Sequence, residues 1–315
     1  MGARVNEFAL GMGPKVFGVT RGDTLYTLRA LPLGGFCAIE GEDGDITRPE
    51  SLGSKTPLQR IIVFAAGAFM NFILAWLLLS IYLGYLGHGT NTVLQTIPDS
   101  PIANAGVQAG ETIISIDGQT VETQAEISAI VVDGTITYDV VVKGLDGNLR
   151  TVPIQPEARE NGNGAALGFY PTTAPNGFFE SIWNGLLGTF SLTGQVFDGF
   201  TQLITGRVAM SDMAGIVGVA QVTSEVWDSS VQESLLHAIM NLIYIGALLS
   251  ANLAVLNLLP MPALDGGRIL FTFIEMLRGK PLDQEKEGMI HLVGFVLLMG
   301  LMVVVFYNDI VRLMS

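Results

Sequence analysis

Charge, cysteine and histidine are all scarce in this chain. Only 14% of its 315 residues are charged, where about 25% is usual for a soluble domain. Cys37 is the single cysteine, so an intrachain disulfide is excluded and any outer domain must stand on its own core. No neighbour of Cys37 suggests a lowered thiol pKa, and it reads as a packing residue. Basic residues are outnumbered, 16 to 29, leaving a net charge of -13 that argues against nucleic acid as a partner. The histidines are His88, His237 and His291. They lie far apart, each at the end of an apolar run, and read as interfacial polar residues. No secretory signal peptide opens the sequence. There is also no internal repeat, which argues against a transporter.

Long apolar runs, in contrast, are plentiful. Mean hydropathy is +0.48, and the apolarity is concentrated in 61–86, 237–259 and 289–307. Each run is long enough for the ~20 residues of a membrane helix. Arg4, Lys15, Arg21, Arg29, Arg48, Lys55 and Arg60 precede the first run, and Arg268, Arg278, Lys280 and Lys286 lie between the second and third. The positive-inside rule puts these two basic segments in the cytoplasm and 87–236 outside. The expected fold is a multi-pass α-helical membrane protein with a cytoplasmic-side β-rich segment and an extracytoplasmic α+β domain.

Between the runs the organisation changes. Residues 1–60 are Gly-rich, with strands expected at 24–30 and 33–39 and an acidic turn at 40–45. Residues 91–171 read as a compact domain. Ser100 and Pro101 start a short helix, and Thr123 with Glu126 forms a capping box. Strands are expected at 93–97 and 111–116, with a hairpin of 137–142 and 149–154 turning at Asp146-Gly147. A polar linker is expected at 157–164. In 176–236, the stretch 178–205 reads as a long amphipathic helix on the outer membrane surface, with a fourth span as the alternative. The small-residue run 213–222 suits tight packing or a re-entrant turn.

The candidate site lies just past the second run, within 260–288. Asp265 is a carboxylate at the end of an apolar stretch, flanked by Pro260, Pro262, Gly266 and Gly267. A charged group at membrane depth costs about 2.5–3.5 kcal/mol or more, so it usually faces a partner, a cavity or a metal. In the first run, Gly67 and Asn71 are four residues apart on one helix face. Glycine permits close helix approach, and a buried amide can bond across the contact. Generic helix packing explains this pair as well as a role at a site does.

Asn257, Pro260, Pro262, Leu264, Asp265, Gly266 and Gly267 together resemble the N-x-x-P-x-P-x-L-D-G-G segment of the site-2 protease family of intramembrane zinc metalloproteases. More narrowly, the chain resembles the bacterial, PDZ-containing members that act in regulated intramembrane proteolysis. Residues 8–14 and 31–36 resemble the β-rich segment after that family's first span. Gly67 with Asn71 resembles its G-x-x-x-N element, and 100–110 with 116–118 resemble a bacterial PDZ domain.

The resemblance implies that Asp265 is a ligand of Zn2+, with Asn257 at the catalytic centre. Pro260, Pro262, Gly266, Gly267, Gly67 and Asn71 would be structural at the site. Asn257 would hold substrate backbone or a developing oxyanion; equally, it satisfies backbone groups freed by the prolines. Substrates would be transmembrane segments of other proteins. The strands at 24–39 would offer an edge to an unwound segment, and membrane lipid is the surrounding medium.

One element of the family pattern is missing. H-E-x-x-H, whose histidines bind zinc and whose glutamate is the general base, occurs nowhere in these residues. It belongs just before Val5. The expectation is an N-terminally truncated and, alone, inactive fragment; the alternative is a non-catalytic PDZ-containing membrane scaffold.

Overall fold

The computed structural model describes residues 2–41, 49–158, 164–207, 215–280 and 282–314. The acidic turn expected at 40–45 falls mostly outside them. In chain order, strands β1 (Val5–Arg21) and β2 (Thr24–Ile39) precede helix α1 (Pro57–Leu86). There follow β3 (His88–Thr96), α2 (Pro101–Asn104), β4 (Thr112–Ile116), β5 (Gln119–Thr120), α3 (Gln124–Ile130), β6 (Tyr138–Lys143) and β7 (Leu149–Ile154). The small strands β8 (Glu157–Ala158) and β9 (Ala165–Ala166) lead to β10 (Phe169–Ala174). Helices α4 (Phe178–Ile204), α5 (Ile216–Glu233), α6 (Leu235–Leu258), α7 (Asp265–Arg278) and α8 (Gln284–Met314) complete the chain.

Contacts divide the chain into two compact units, 77–187 and the remainder. The inner unit, 77–187, is built on a sheet in the order β10-β3-β4-β6-β7, with β5 paired to β4. Alternation in β6 buries Tyr138, Val140 and Val142, as a strand with one covered face requires. They join Val93, Ile102, Ile113, Ile116, Val121 and Ile127 in one core. Ser100 accepts from the Ala103 N–H, and the Thr123–Glu126 capping box is formed on both sides. The sheet begins at His88 and ends at Ala174, a few residues outside the expected 91–171. The expected linker at 157–164 begins with β8, which pairs with β9.

This domain is fastened to its flanking helices through small residues. A Cβ on Gly185 would overlap Ser80, and one on Gly84 would press on Ser181. The last turns of α1 and the first turns of α4 therefore touch almost backbone to backbone. Asn176 donates to the Leu83 carbonyl at 2.9 Å, and His88 Nδ1 lies 2.8 Å from Asn176 Oδ1. His88 thus has a bonded place at the domain entrance.

In the other unit, β1 and β2 form one long, bulged antiparallel hairpin. It is far more extensive than the two short strands expected. Arg29 and Thr27 both donate to Glu7 across it, at 2.7 and 2.6 Å. Phe8, Leu10, Val16, Phe17, Tyr26 and Leu28 remain exposed, a larger apolar surface than water-soluble proteins usually present.

Among the described residues, three helices are long and apolar enough to cross a membrane: Pro57–Leu86, Leu235–Leu258 and Glu285–Leu313. They match the three runs read from the sequence, the second ending one residue earlier at Leu258. Little of their surface is covered, only 6% of the apolar window in the last. Helix α4 is continuous and does not meet the same measure of length and apolarity.

The run expected to pack tightly or turn back at 213–222 is helical from Ile216. Its start is held by Asp309 of α8, a buried carboxylate that accepts from the Gly215 and Gly218 N–H groups at 3.1 and 2.9 Å. Asn241 donates to Ser230 at 2.7 Å, tying α6 to α5.

Candidate active site

Helix α6 stops where the prolines begin. Pro260 and Pro262 have no N–H and bias the preceding residues toward extended backbone; Leu259 adopts φ -62, ψ 139. The chain turns through 259–264. Met261 N–H donates to Leu259 O at 2.7 Å, and Leu264 N–H to Met261 O at 3.3 Å. Ala263 adopts a left-handed φ of 73°, unfavourable for a residue with a Cβ. Helix α7 then starts at Asp265. The stretch 260–288 was expected to be motif and loop; instead the motif opens a helix of 14 residues. Its carboxylate sits in the first turn, where it complements the helix dipole.

The two glycines after Asp265 let α7 begin this close to α6. A Cβ on Gly266 would stand 2.2 Å from Leu259 O and 2.4 Å from Leu258 O. One on Gly267 would fall on Met261 O. Both obstacles are backbone, so no rotamer change relieves them. On the far side of the turn, Gly294 of α8 lies against Pro262, again leaving no room for a Cβ.

Helix α7 packs antiparallel on the first half of α1, along one stripe. A Cβ on Gly67 would be 3.6 Å from Asp265 Oδ2, an ordinary contact. Arg268 lies over the Phe64 ring, 5.6 Å from its centroid, a cation–π geometry. Arg60 donates to Glu275 Oε2 at 2.7 Å and reaches Thr272 Oγ1 at 3.3 Å. Glu275 is buried and also accepts from the Leu282 N–H at 2.8 Å. Steps of three and four residues on α1 (67, 64, 60) are matched on α7 (265, 268, 272), as two straight helices in register require.

Asp265 and Gly67 are therefore neighbours. Asn71, one turn beyond Gly67, and Asn257, in the last turn of α6, are each half-buried. Neither makes a side-chain hydrogen bond among the described residues. Sequence reading missed Arg60, Glu275 and His291 as parts of this site. The first two carried a signal, since an acid and a base beside apolar runs call for partners.

Among the described residues, no three His, Cys, Asp or Glu side chains converge as a metal site would require. Asp265 can serve as one carboxylate donor; the described residues do not by themselves fit a complete zinc site. His237 stands at the start of α6, its N–H capped by Ser234 at 3.0 Å, and His88 is engaged at the domain entrance. His291 accepts at Nδ1 from the Ala263 N–H at 2.9 Å, two residues before Asp265.

The segment that resembles the site-2 protease motif thus places a carboxylate at the N-terminus of a helix, after a proline turn and beside an apolar helix. The comparisons agree. Residues 1–301 match Peptidase family M50. The chain is 36% identical to CPE1693 of Clostridium perfringens, named as a zinc metalloprotease, over 98% of this chain and 90% of that protein. It is 31% identical to Regulator of sigma-W protease RasP of Bacillus subtilis, over 99% and 92%. It is also 31% identical to Zinc metalloprotease RasP of Geobacillus kaustophilus, over 98% and 91%. The chain belongs to Peptidase family M50, the zinc-dependent site-2 proteases. With three membrane-length apolar helices it is a membrane protein.

Proposed function

We propose that this chain carries the aspartate half of an intramembrane zinc metalloendopeptidase that cleaves transmembrane segments of other proteins in regulated proteolysis. The observation that carries the proposal is the meeting of Asp265 with Gly67 on the α1–α7 stripe. Gly67 lies ten residues into α1, about 15 Å along the helix, and past the basic start of that helix. This depth supports a site toward the cytoplasmic side, with the 88–174 domain extracytoplasmic. The core, capping box and sequence pattern of that domain support a PDZ assignment. The three apolar helices and the distribution of Lys and Arg support a multi-pass topology.

Within this reading each residue has a defined task. Asp265 would hold zinc through one anionic oxygen, and the metal would supply Lewis-acid chemistry toward a peptide carbonyl. Gly67 keeps the space beside that oxygen free of side chain, and Pro260, Pro262, Gly266 and Gly267 set the turn that presents it. Asn257 and Asn71 are amides on helices flanking the turn, suited to substrate backbone. The exposed apolar hairpin fits a membrane-associated segment. The three apolar helices put the site among membrane-length segments, which supports membrane proteins as the substrate class.

The test joins a transmembrane helix bearing H-E-x-x-H ahead of Val5. The expected result is one zinc per chain and cleavage of a model transmembrane substrate, both lost with Asp265→Asn. Zinc retained by Asp265→Asn would refute the assignment. These 315 residues on their own, which contain no H-E-x-x-H, are expected to bind no stoichiometric zinc and to leave the substrate uncut. That outcome alone would equally suit the second reading, a non-catalytic membrane scaffold, so the chimera decides between them.

A further inference from the structure

The turn before Asp265 is held from one side by a group that neither the motif nor the proposed chemistry uses. We propose that His291 is a positioning residue: its Nδ1 pins the strained Ala263 and thereby fixes where α7, and the Asp265 carboxylate at its start, begin. The pin is a statement about the turn and stands without the protease reading; only the consequence for zinc rests on that reading.

Three observations converge on this. First, the Ala263 N–H donates to His291 Nδ1 at 2.9 Å. A backbone N–H can only donate, so Nδ1 is the acceptor and the neutral ring carries its hydrogen on Nε2. Second, Ala263 is one of the few non-glycine residues with positive φ, at 73°. An alanine there persists only when its surroundings hold it. Third, the ring is oriented by its own neighbours. Phe271 of α7 meets it edge-on, with centroids 5.3 Å apart and planes at 74°. Gly294, one turn further along α8, packs against Pro262. Helix α8 thus touches two successive residues of the turn, 262 and 263, through a glycine and a hydrogen-bond acceptor.

The other ring nitrogen is not the working one. His291 Nε2 is buried and makes no hydrogen bond, and the nearest carboxylate oxygen, on Glu287, is 3.9 Å away. An interfacial histidine would turn its polar edge outward; this one turns Nδ1 to the backbone that precedes Asp265.

The two ring nitrogens can be separated by substitution. Asparagine places an amide oxygen near the Nδ1 position; glutamine reaches toward the Nε2 position instead. The proline-rich turn makes the readout clean. Of residues 260–264, two are prolines, so only Met261, Ala263 and Leu264 have exchangeable amides.

Hydrogen–deuterium exchange of the peptide covering the turn is measured on the full chain in detergent micelles. His291→Asn should keep wild-type protection. His291→Gln should exchange roughly two- to tenfold faster at one amide, the range expected for one lost backbone bond. Ala263→Gly removes the need for the pin, because glycine adopts this φ freely. His291→Gln should therefore lower the unfolding midpoint less in the Ala263→Gly background than in the wild type. Equal exchange in wild type and His291→Gln, or protection kept by Gln and lost by Asn, would overturn the proposal. Failure of the zinc chimera would leave the exchange result standing, so the two ideas fail separately.

Discussion

Replacing Gly266 with alanine sets two effects of opposite sign against each other. Within a helix, alanine is favoured over glycine by about 0.5–1 kcal/mol. At this position the added methyl would sit 2.2 Å from Leu259 O, 2.4 Å from Leu258 O and 2.5 Å from Leu258 C. Ordinary contact begins near 3.4 Å, so about 1 Å must be opened between the end of α6 and the start of α7. No side chain can swing away, and overpacking of this kind costs about 1–3 kcal/mol. The steric term should win, with a net destabilisation of about 1–2 kcal/mol.

The consequence for the site should exceed that for the fold. A shift of ~1 Å in a reacting group can cost about 10²-fold in rate, and Asp265 adjoins the displaced residue. Unfolding of the full chain in micelles reads the first effect; zinc uptake by the H-E-x-x-H chimera reads the second. Gly67→Ala is the internal control for stability, because the nearest atom to its new methyl lies 3.6 Å away. It should be as stable as wild type, or more stable by up to about 1 kcal/mol. If Gly266→Ala proves as stable as wild type or more so, the close packing of the D-G-G turn on α6 is wrong.

Other substitutions probe the supports around this turn. Arg60→Ala strands the buried Glu275 carboxylate and should cost about 3–5 kcal/mol, whereas Arg60→Met with Glu275→Leu should be closer to neutral; chemical denaturation of both variants checks this. In the 88–174 domain, the Arg150 guanidinium donates to Glu111 at 2.6 Å and, with the Gln108 N–H, holds that carboxyl below its usual pKa. A lowered folded pKa means the stabilisation is present above the ordinary carboxylate range and is lost as pH falls through the folded value. The stability gap between wild type and Arg150→Leu should therefore be full at neutral pH and close below about pH 4. Thr123→Ala removes the Thr123 half of the formed capping box and should cost about 1 kcal/mol, read by thermal melting.

Local chemistry with a short reach was legible in the sequence. Ser100 with Pro101, Thr123 with Glu126, and the turn at Asp146-Gly147 each specify their own geometry within a few residues, and each formed. Three apolar runs declared themselves by length. Helix α7 was harder to see. Asp265, Arg268, Glu275 and Arg278 punctuate it, and at 14 residues it is too short to read as a span. Its polar residues make sense only once α1 lies alongside, because Arg60 and Glu275 are partners 215 positions apart. Asp309 was overlooked for the same reason: what it caps, the start of α5, lies 91 to 94 residues earlier. His291 carried a misleading signal, since a histidine opening an apolar run has the look of an interfacial residue. Its role depends on the φ of Ala263, which no composition rule supplies.

The α1–α7 stripe also explains why the same two helices carry both the strongest polar pair and a bare glycine. Desolvating a charge pair is costly anywhere in lipid, and least so near the interface, where long side chains can snorkel. Arg60 and Glu275 stand at that end: Arg60 is in the first turn of α1 and Glu275 in the last turn of α7. About one turn further along α1, Arg268 is held over a ring, Phe64, which accommodates a cation with less need for water. Deeper still, Gly67 of α1 faces the Asp265 carboxylate. That meeting is set by helix register: moving the Arg60 clasp by one residue would turn Gly67 away from the carboxylate by about 100°.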